Sequence, residues 1–254
     1  MAILEVKNLN LGFQCEDIFR QALYDVNFAL HKGKMLSLVG ESGCGKTMSA
    51  MSILNLLPKT ARITSGEILY NGENLLLKNN KQMQKIRGGK IALIPQDPMT
   101  SLNPLYTVGD QLLEVIKIHQ NLQGHQAEQK AIEAFEAVQI PDAKSRLKNY
   151  PHEFSGGMKQ RAIIAMALAC KAEILIADEP TTALDVTIQA QIMKLLNEIK
   201  INNETSILLI THDLALVSEN ADEIAVMYSG RIVENAPNSV SYTHLRAHET
   251  SAHL

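Results

Sequence analysis

Eight consecutive residues, Gly40, Glu41, Ser42, Gly43, Cys44, Gly45, Lys46 and Thr47, carry the sharpest chemistry in the sequence. They fit the pattern GxxxxGK[ST] and stand between an apolar run at 35–39 and a helical stretch at 46–57, stopped by Pro58. Glycines let backbone N–H groups turn inward around phosphate oxygens, and a helix N-terminus adds partial positive charge at the same place. Lys46 is placed to reach the β- and γ-phosphates, and the Thr47 hydroxyl to ligate Mg²⁺. A chance glycine turn is the competing reading, and the flanking strand and helix argue against it. The motif alone says nucleotide and leaves the reaction open.

A second constellation lies at 174–180, where Ile-Leu-Ile-Ala-Asp-Glu-Pro puts Asp178 and Glu179 at the carboxyl end of an apolar strand. Alpha/beta folds place ligands at such strand ends. Asp178 is expected to hold the Mg²⁺ water shell, and Glu179 to polarise an attacking water, a role worth ~10²–10⁴ in rate. The plainer alternative is a solvated loop. A third segment, Phe154-Ser155-Gly156-Gly157-Met158-Lys159-Gln160-Arg161, runs into an apolar helix at 162–169. Small residues at a helix N-terminus permit close approach of an anion, although Ser-Gly-Gly by itself is more often a flexible turn.

With these segments in this order, the chain resembles the ATPases of the ABC-transporter family, whose signature is LSGGQ-like and is followed directly by a helix. The resemblance implies that Ser155, Gly156 and Gly157 contact the γ-phosphate of ATP bound to a partner subunit. It also assigns the remaining motifs. Gln96, after the run at 91–95, matches the Q-loop glutamine, a ligand of Mg²⁺ and water. Asp185, in Thr181-Thr182-Ala183-Leu184-Asp185, matches the D-loop residue that reaches across the dimer. His212, in Ile210-Thr211-His212-Asp213, matches the histidine that contacts the γ-phosphate and the attacking water. Phe13 resembles the aromatic that stacks on adenine, with a core phenylalanine as the open alternative. The resemblance runs from residue 1 to about 238.

Three stretches narrow it: PQDPMTSLNP at 95–104, YPHE at 150–153 and DEPTTALDVTIQAQ at 178–191. They resemble the dipeptide and oligopeptide importer ATPases, most of all the D-type subunits of dipeptide permeases. Nickel and glutathione importers share these stretches and stay open as alternatives. Three departures stand out: Phe154 where leucine is usual, Lys159 where glutamine or arginine is commoner, and Cys44 where serine is frequent. None of these side chains is the one placed on phosphate. The Cys44 thiol is a candidate for alkylation, against an inert substitution.

The elements that must position these residues follow from the hydrophobic pattern. Apolar runs at 35–39, 91–94, 174–177, 207–210 and 224–228 read as strands covered on both faces, alternating with helices. The segments 111–120 and 127–138 read as amphipathic helices, with Leu112, Val115, Ile116 and His119 on one face of the first. Residues 3–6 and 68–70 read as strands of an antiparallel piece. The expected fold is therefore α/β: a P-loop ABC ATPase core with a mostly parallel sheet, an inserted helical subdomain at about 97–154 and a small antiparallel β subdomain, together spanning 1–239.

Composition limits the partners. With 24 Lys and Arg against 27 Asp and Glu, the formal charge is −3, which gives no support to nucleic acid as a partner. Aromatics make up 4% and Trp is absent, so a base-stacking platform is not expected. The three cysteines show no CxxC spacing, which fits a reducing compartment. No apolar run approaches the ~20 residues that cross a bilayer, and the N-terminus lacks a signal-peptide pattern. From the resemblance, the expected partners are a second ABC ATPase subunit, identical or homologous, in a head-to-tail dimer, two membrane permease subunits and, indirectly, an external substrate-binding protein. The expected place is peripheral, on the cytoplasmic face of the bacterial inner membrane.

A soluble ABC ATPase acting on DNA or ribosomes is the alternative from another class. It would be expected to carry tandem domains, coiled-coil arms or a basic surface. A non-hydrolysing regulatory subunit is a further alternative, opposed by the presence of Lys46, Asp178, Glu179 and His212. After Asn238 the resemblance stops. Residues 240–250 can be encoded by a transposase sequencing adapter read in frame, and 240–254 are expected to be technical sequence. The alternative is a genuine tail whose His244, His248 and His253 bind metal.

Overall fold

In the computed structural model, residues 1–16, 18–181 and 184–237 are described. They form two compact units, one holding Met1–Met83 and the chain from Lys200 on, the other Gln84–Ile199. The expected tail at 240–254 lies outside the described residues.

The first unit begins with a long hairpin, β1 (Ala2–Cys15) and β2 (Ile18–His31). With β4 (Ala61–Tyr70) and the short β5 (Glu73–Asn74) it makes an antiparallel sheet in the order β2-β1-β4-β5. Residues 3–6 and 68–70 do lie in strands, but the strands are far longer than expected, and β2 was not anticipated. The reason is its register, which shifts three times along the β1–β2 pair after Val6. Asn8 at φ 48° and Asp25 at φ 51° take up these irregularities in the left-handed region, which short polar side chains tolerate. Asn10 fastens the second of them: its Oδ1 accepts from Asp25 N at 3.1 Å and Gln21 Nε2 at 2.8 Å. Each bulge switches the face that a given parity covers, so no steady alternation is left in the sequence.

Also in this unit, β3 (Met35–Val39) is buried at every position and runs parallel to β8 (Ser206–Thr211) and β9 (Glu223–Tyr228). β10 (Arg231–Pro237) closes the order β10-β9-β3-β8 by pairing antiparallel with β9. Helix α1 (Lys46–Ile53) follows β3, and α9 (Leu214–Asn220) packs Val217 against Val39 and Ile224. α1 stops short of the expected residue 57. Asn55 turns left-handed at φ 50°, and Leu56 N closes back on Met51 O at 2.9 Å. A 3-10 turn at Leu75–Leu77 leads to α2 (Asn80–Ile86), in which the boundary between the units falls.

The second unit pairs β6 (Ile91–Ile94) parallel with β7 (Ile174–Asp178). Between them come α3 (Pro98–Ser101), α4 (Val108–Gln120), α5 (Gly124–Ala137), α6 (Ala143–Arg146), a 3-10 turn at Pro151–Glu153 and α7 (Gly156–Ala169), with α8 (Val186–Asn203) after β7. Leu112 and Ile116 of α4 are fully buried, as their face required, while Val115 and His119 are half-buried. Phe135 of α5 is fully buried and meets Phe154 edge-on, with centroids 6.4 Å apart. Gly109 lies so close to the 147–149 strap that a Cβ would stand 2.2 Å from Leu147 O. Arg161 of α7 donates to Val138 O at 2.6 Å and to the Gln191 side chain, tying α7 to the end of α5 and to α8.

Candidate functional site

In the first unit, Val39 is in register with Thr211 on one side and Val226 on the other. Gly40 and His212, each the next residue along, therefore leave the same carboxyl edge of the parallel strands. The loop at 40–47 is shaped by its glycines. Gly40, Gly43 and Gly45 take φ of 153°, 80° and 112°. A Cβ at Gly40 would stand 2.1 Å from Met227 O, and one at Gly45 2.5 Å from Leu23 Cδ2. Around Gly43 no atom lies within 4 Å of such a Cβ, so the loop is open there. Glu41 and Ser42 are exposed, and Thr47 is half-buried at the start of α1.

Lys46 is 4% exposed, and its Nζ donates to Gly40 O at 2.7 Å and Glu41 O at 2.9 Å. The ammonium is thus held by two backbone carbonyls at the start of the loop. Cys44 is buried, with its Sγ 3.9 Å from Lys46 Nζ and its carbonyl accepting from Gly230 N at 3.0 Å. The β9–β10 turn therefore braces the loop from behind. His212 is exposed, ahead of Asp213, whose Oδ1 caps α9 by accepting from Ala215 N at 2.9 Å.

Phe13 is half-buried on β1. Leu11, two residues earlier, pairs with Leu23, the residue packed on Gly45, and the register of the pair shifts between Leu11 and Gly12. Phe13 lies opposite Arg20.

In the second unit, Ile94 is in register with Ala177, which brings the segments beyond β6 and β7 side by side. Asp178 is 1% exposed and Glu179 8%. Glu179 sits at φ 46°, a left-handed conformation that non-glycine residues seldom adopt, immediately before Pro180. Gln96 donates from Nε2 to Glu179 Oε2 at 3.0 Å.

Ser155 is the N-cap of α7, its Oγ accepting from Met158 N at 3.3 Å. Ser155 and Gly156 are exposed, and nothing lies within 4 Å of a Cβ on Gly156, whereas one on Gly157 would meet Ile188 Cγ2 at 3.2 Å. Asp185 is exposed and accepts from Ile188 N at 3.0 Å, so its carboxylate serves the first turn of α8. Thr182 and Ala183, within the D-loop match, lie outside the described residues. Among the described residues, no group of three or more His, Cys, Asp or Glu side chains is gathered as a metal site.

The family model described as ABC transporter matches residues 23–182. The chain belongs to the ABC transporter family. It is 53% identical over 235 residues to the probable peptide ABC transporter ATP-binding protein y4tR of Sinorhizobium fredii, covering 92% of this chain and 70% of that protein. It is 50% identical to the dipeptide transport ATP-binding protein DppD of Bacillus subtilis, over 91% of this chain and 70% of the relative. Against the oligopeptide transport ATP-binding protein OppD of Escherichia coli the identity is 48%, over 92% and 69%. Among solved structures, a dimeric ATP-binding cassette in a post-hydrolysis state, bound to ADP and Pi, matches with a TM-score of 0.83 at 25% identity, over 92% of this chain and 98% of that one. The cassette fold, with its mostly parallel sheet, antiparallel β part and helical part, is thus the fold of this chain, and the chain is an ABC transporter ATPase.

Sequence spacing gives the order of the proposed motifs but not what fastens the residues in them. Leu23 beneath Gly45, Gly230 on Cys44 and the Gln96–Glu179 bond depend on strand register, which leaves no local mark. Arg161 stands immediately before the apolar run at 162–169, and its partners only the fold supplies.

Proposed function

We propose that this chain is the ATP-hydrolysing subunit of an importer that carries dipeptides and oligopeptides across the cytoplasmic membrane. The observation behind the peptide reading is the 47–53% identity to ATP-binding proteins of peptide transporters along nine-tenths of the chain. The chain sits peripherally on the cytoplasmic face of the bacterial inner membrane, consistent with the finding that no described helix is long and apolar enough to cross it. It pairs head to tail with a second ATPase subunit and works on two permease subunits, while an external binding protein delivers the peptide.

The chemistry assigned to the site is in-line attack of water on the γ-phosphate of ATP. Backbone N–H groups of Gly43, Cys44 and Gly45, with Lys46, cradle the β- and γ-phosphates, and the open space at Gly43 suits that role. Phe13 lies against adenine. Glu179 polarises the water and His212 orients it. Ser155, Gly156 and Gly157 approach the γ-phosphate held by the partner subunit, and the exposure of Ser155 and Gly156 leaves that approach open. Asp185 faces the partner. Thr47 in the first unit and Asp178 and Gln96 in the second carry oxygen donors of the kind a hard cation takes; they would hold Mg²⁺, which would supply charge neutralisation on the phosphate oxygens.

The test is uptake. The full chain and its Lys46→Ala variant are co-expressed with the permease and binding-protein genes of a peptide importer, in cells lacking their own peptide uptake. Cells with the wild-type chain should accumulate a ¹⁴C-labelled dipeptide or tripeptide, and those with Lys46→Ala should not. Accumulation of ⁶³Ni²⁺ or labelled glutathione without peptide would overturn the peptide reading and leave the importer.

A further inference from the structure

Gln96 and Glu179 lie 83 residues apart in sequence, yet the parallel register of β6 and β7 makes them neighbours, each two residues beyond the paired Ile94 and Ala177. A carboxylate accepts hydrogen bonds and donates none, so only the NH₂ end of a glutamine can face it. That is the observed arrangement, with Nε2 at 3.0 Å from Oε2. The carbonyl end of the same amide is thereby turned away from Glu179.

Two restraints therefore act on Glu179. At the backbone, φ of 46° ahead of Pro180 narrows where the side chain can start. At the other end, the Gln96 amide fixes one carboxylate oxygen. A neutral donor does this without cancelling the charge, as a lysine or arginine in its place would. The donor is itself anchored. Its neighbour Asp97 caps α3, with Oδ1 accepting from Met99 N at 2.8 Å and Oδ2 from Thr100 Oγ1 at 2.8 Å, and α3 packs against α7.

We propose that Gln96 is the positioning residue of the general base: its side-chain NH₂ holds the Glu179 carboxylate in the orientation that activates water. The inference rests on the reading of Glu179 as that base. A misplacement of about 1 Å at a reacting group costs on the order of 10²-fold in rate, which sets the scale of the effect.

The test is a double-mutant cycle on the full chain, with single-turnover release of γ-labelled phosphate for the wild type, Gln96→Met, Glu179→Gln and the double variant. Gln96→Met should lower the rate about tenfold or more, by more than it raises the half-saturating ATP. In the Glu179→Gln background the same change should lower the residual rate by a factor at least about threefold smaller. A loss that repeats undiminished there would mean that Gln96 acts without Glu179, through a phosphate or cation contact alone, and would overturn the inference. An unchanged rate for Gln96→Met would overturn it too. If Glu179→Gln itself turns over like the wild type, the base reading fails and the inference falls with it.

A readout independent of turnover is the Gln96 side-chain NH₂ signal in protein selectively ¹⁵N-labelled at glutamine, identified by its absence from Gln96→Met. Without nucleotide, it should exchange with water faster in Glu179→Ala. An unaltered exchange rate would contradict the bond.

Discussion

Glu179 carries a backbone conformation that costs a non-glycine residue about 1–3 kcal/mol, at a position that is 8% exposed and one residue after the buried Asp178. Such strain persists where the surroundings fix it, here β7 on one side and the Gln96 amide on the other. At the same scale the three cysteines separate by environment. Burial pushes the Cys170 thiol up to about 11, and its Sγ donates to Met166 O at 3.3 Å, whereas Cys15 is exposed. Because the thiolate is the nucleophile, iodoacetamide near pH 8 should modify Cys15 and spare Cys170, with Cys170 reacting only as pH approaches 11. Peptide mass mapping reads this directly, and equal labelling at pH 8 would contradict it. What spacing revealed at this scale was residue type and order, because each motif is a local pattern. The restraints on those residues were not legible, since they come from segments such as 94–96 and 177–179 that meet only after the strands pair.

Between strand and helix, the loop at 40–47 is fixed from behind, and the two kinds of glycine in the cassette should answer differently to one methyl group. Gly40→Ala would set a Cβ 2.1 Å from Met227 O, a backbone atom that cannot rotate away, at φ 153°. The expected result is a loss of about 1–3 kcal/mol or more in stability, read as a lower urea midpoint. Gly156→Ala meets open space at the start of α7, so the fold should gain up to about 1 kcal/mol. Phosphate release should nonetheless fall if Gly156 meets the partner's nucleotide as proposed. A Gly156→Ala protein with wild-type turnover would contradict that assignment. Strands buried on both faces, such as Met35–Val39 and Ile174–Asp178, were legible as unbroken apolar runs. β2 was not, because its bulges break the alternation and place Arg20, Gln21 and Asp25 within it. The end of α1 was misjudged because Asn55, rather than Pro58, turns the chain.

Across the molecule as a whole, half-buried Asp222 is the carboxylate tied to the most partners among those whose pKa is displaced. Burial tends to raise its pKa, but Met35 N–H at 2.8 Å, Lys200 at 3.0 Å and Lys34 at 3.2 Å together hold it below the ordinary aspartate value. A depressed folded-state pKa contributes stability above the unfolded value of about 3.9, which is lost as pH falls through the folded value. Asp222→Asn should therefore lower the urea midpoint at pH 6 and do so much less near pH 2, and an equal drop at both would contradict the linkage. Motif order, legible throughout, carried the family assignment, and the match over 92% of a solved cassette's counterpart here agrees with it. Glu179 is proposed as the base with which this cassette hydrolyses ATP, and phosphate release from Mg-ATP by the protein and by its Glu179→Gln variant decides the matter. The variant's rate should fall by ~10²–10⁴ with bound ATP retained; turnover equal to the wild type would contradict the assignment.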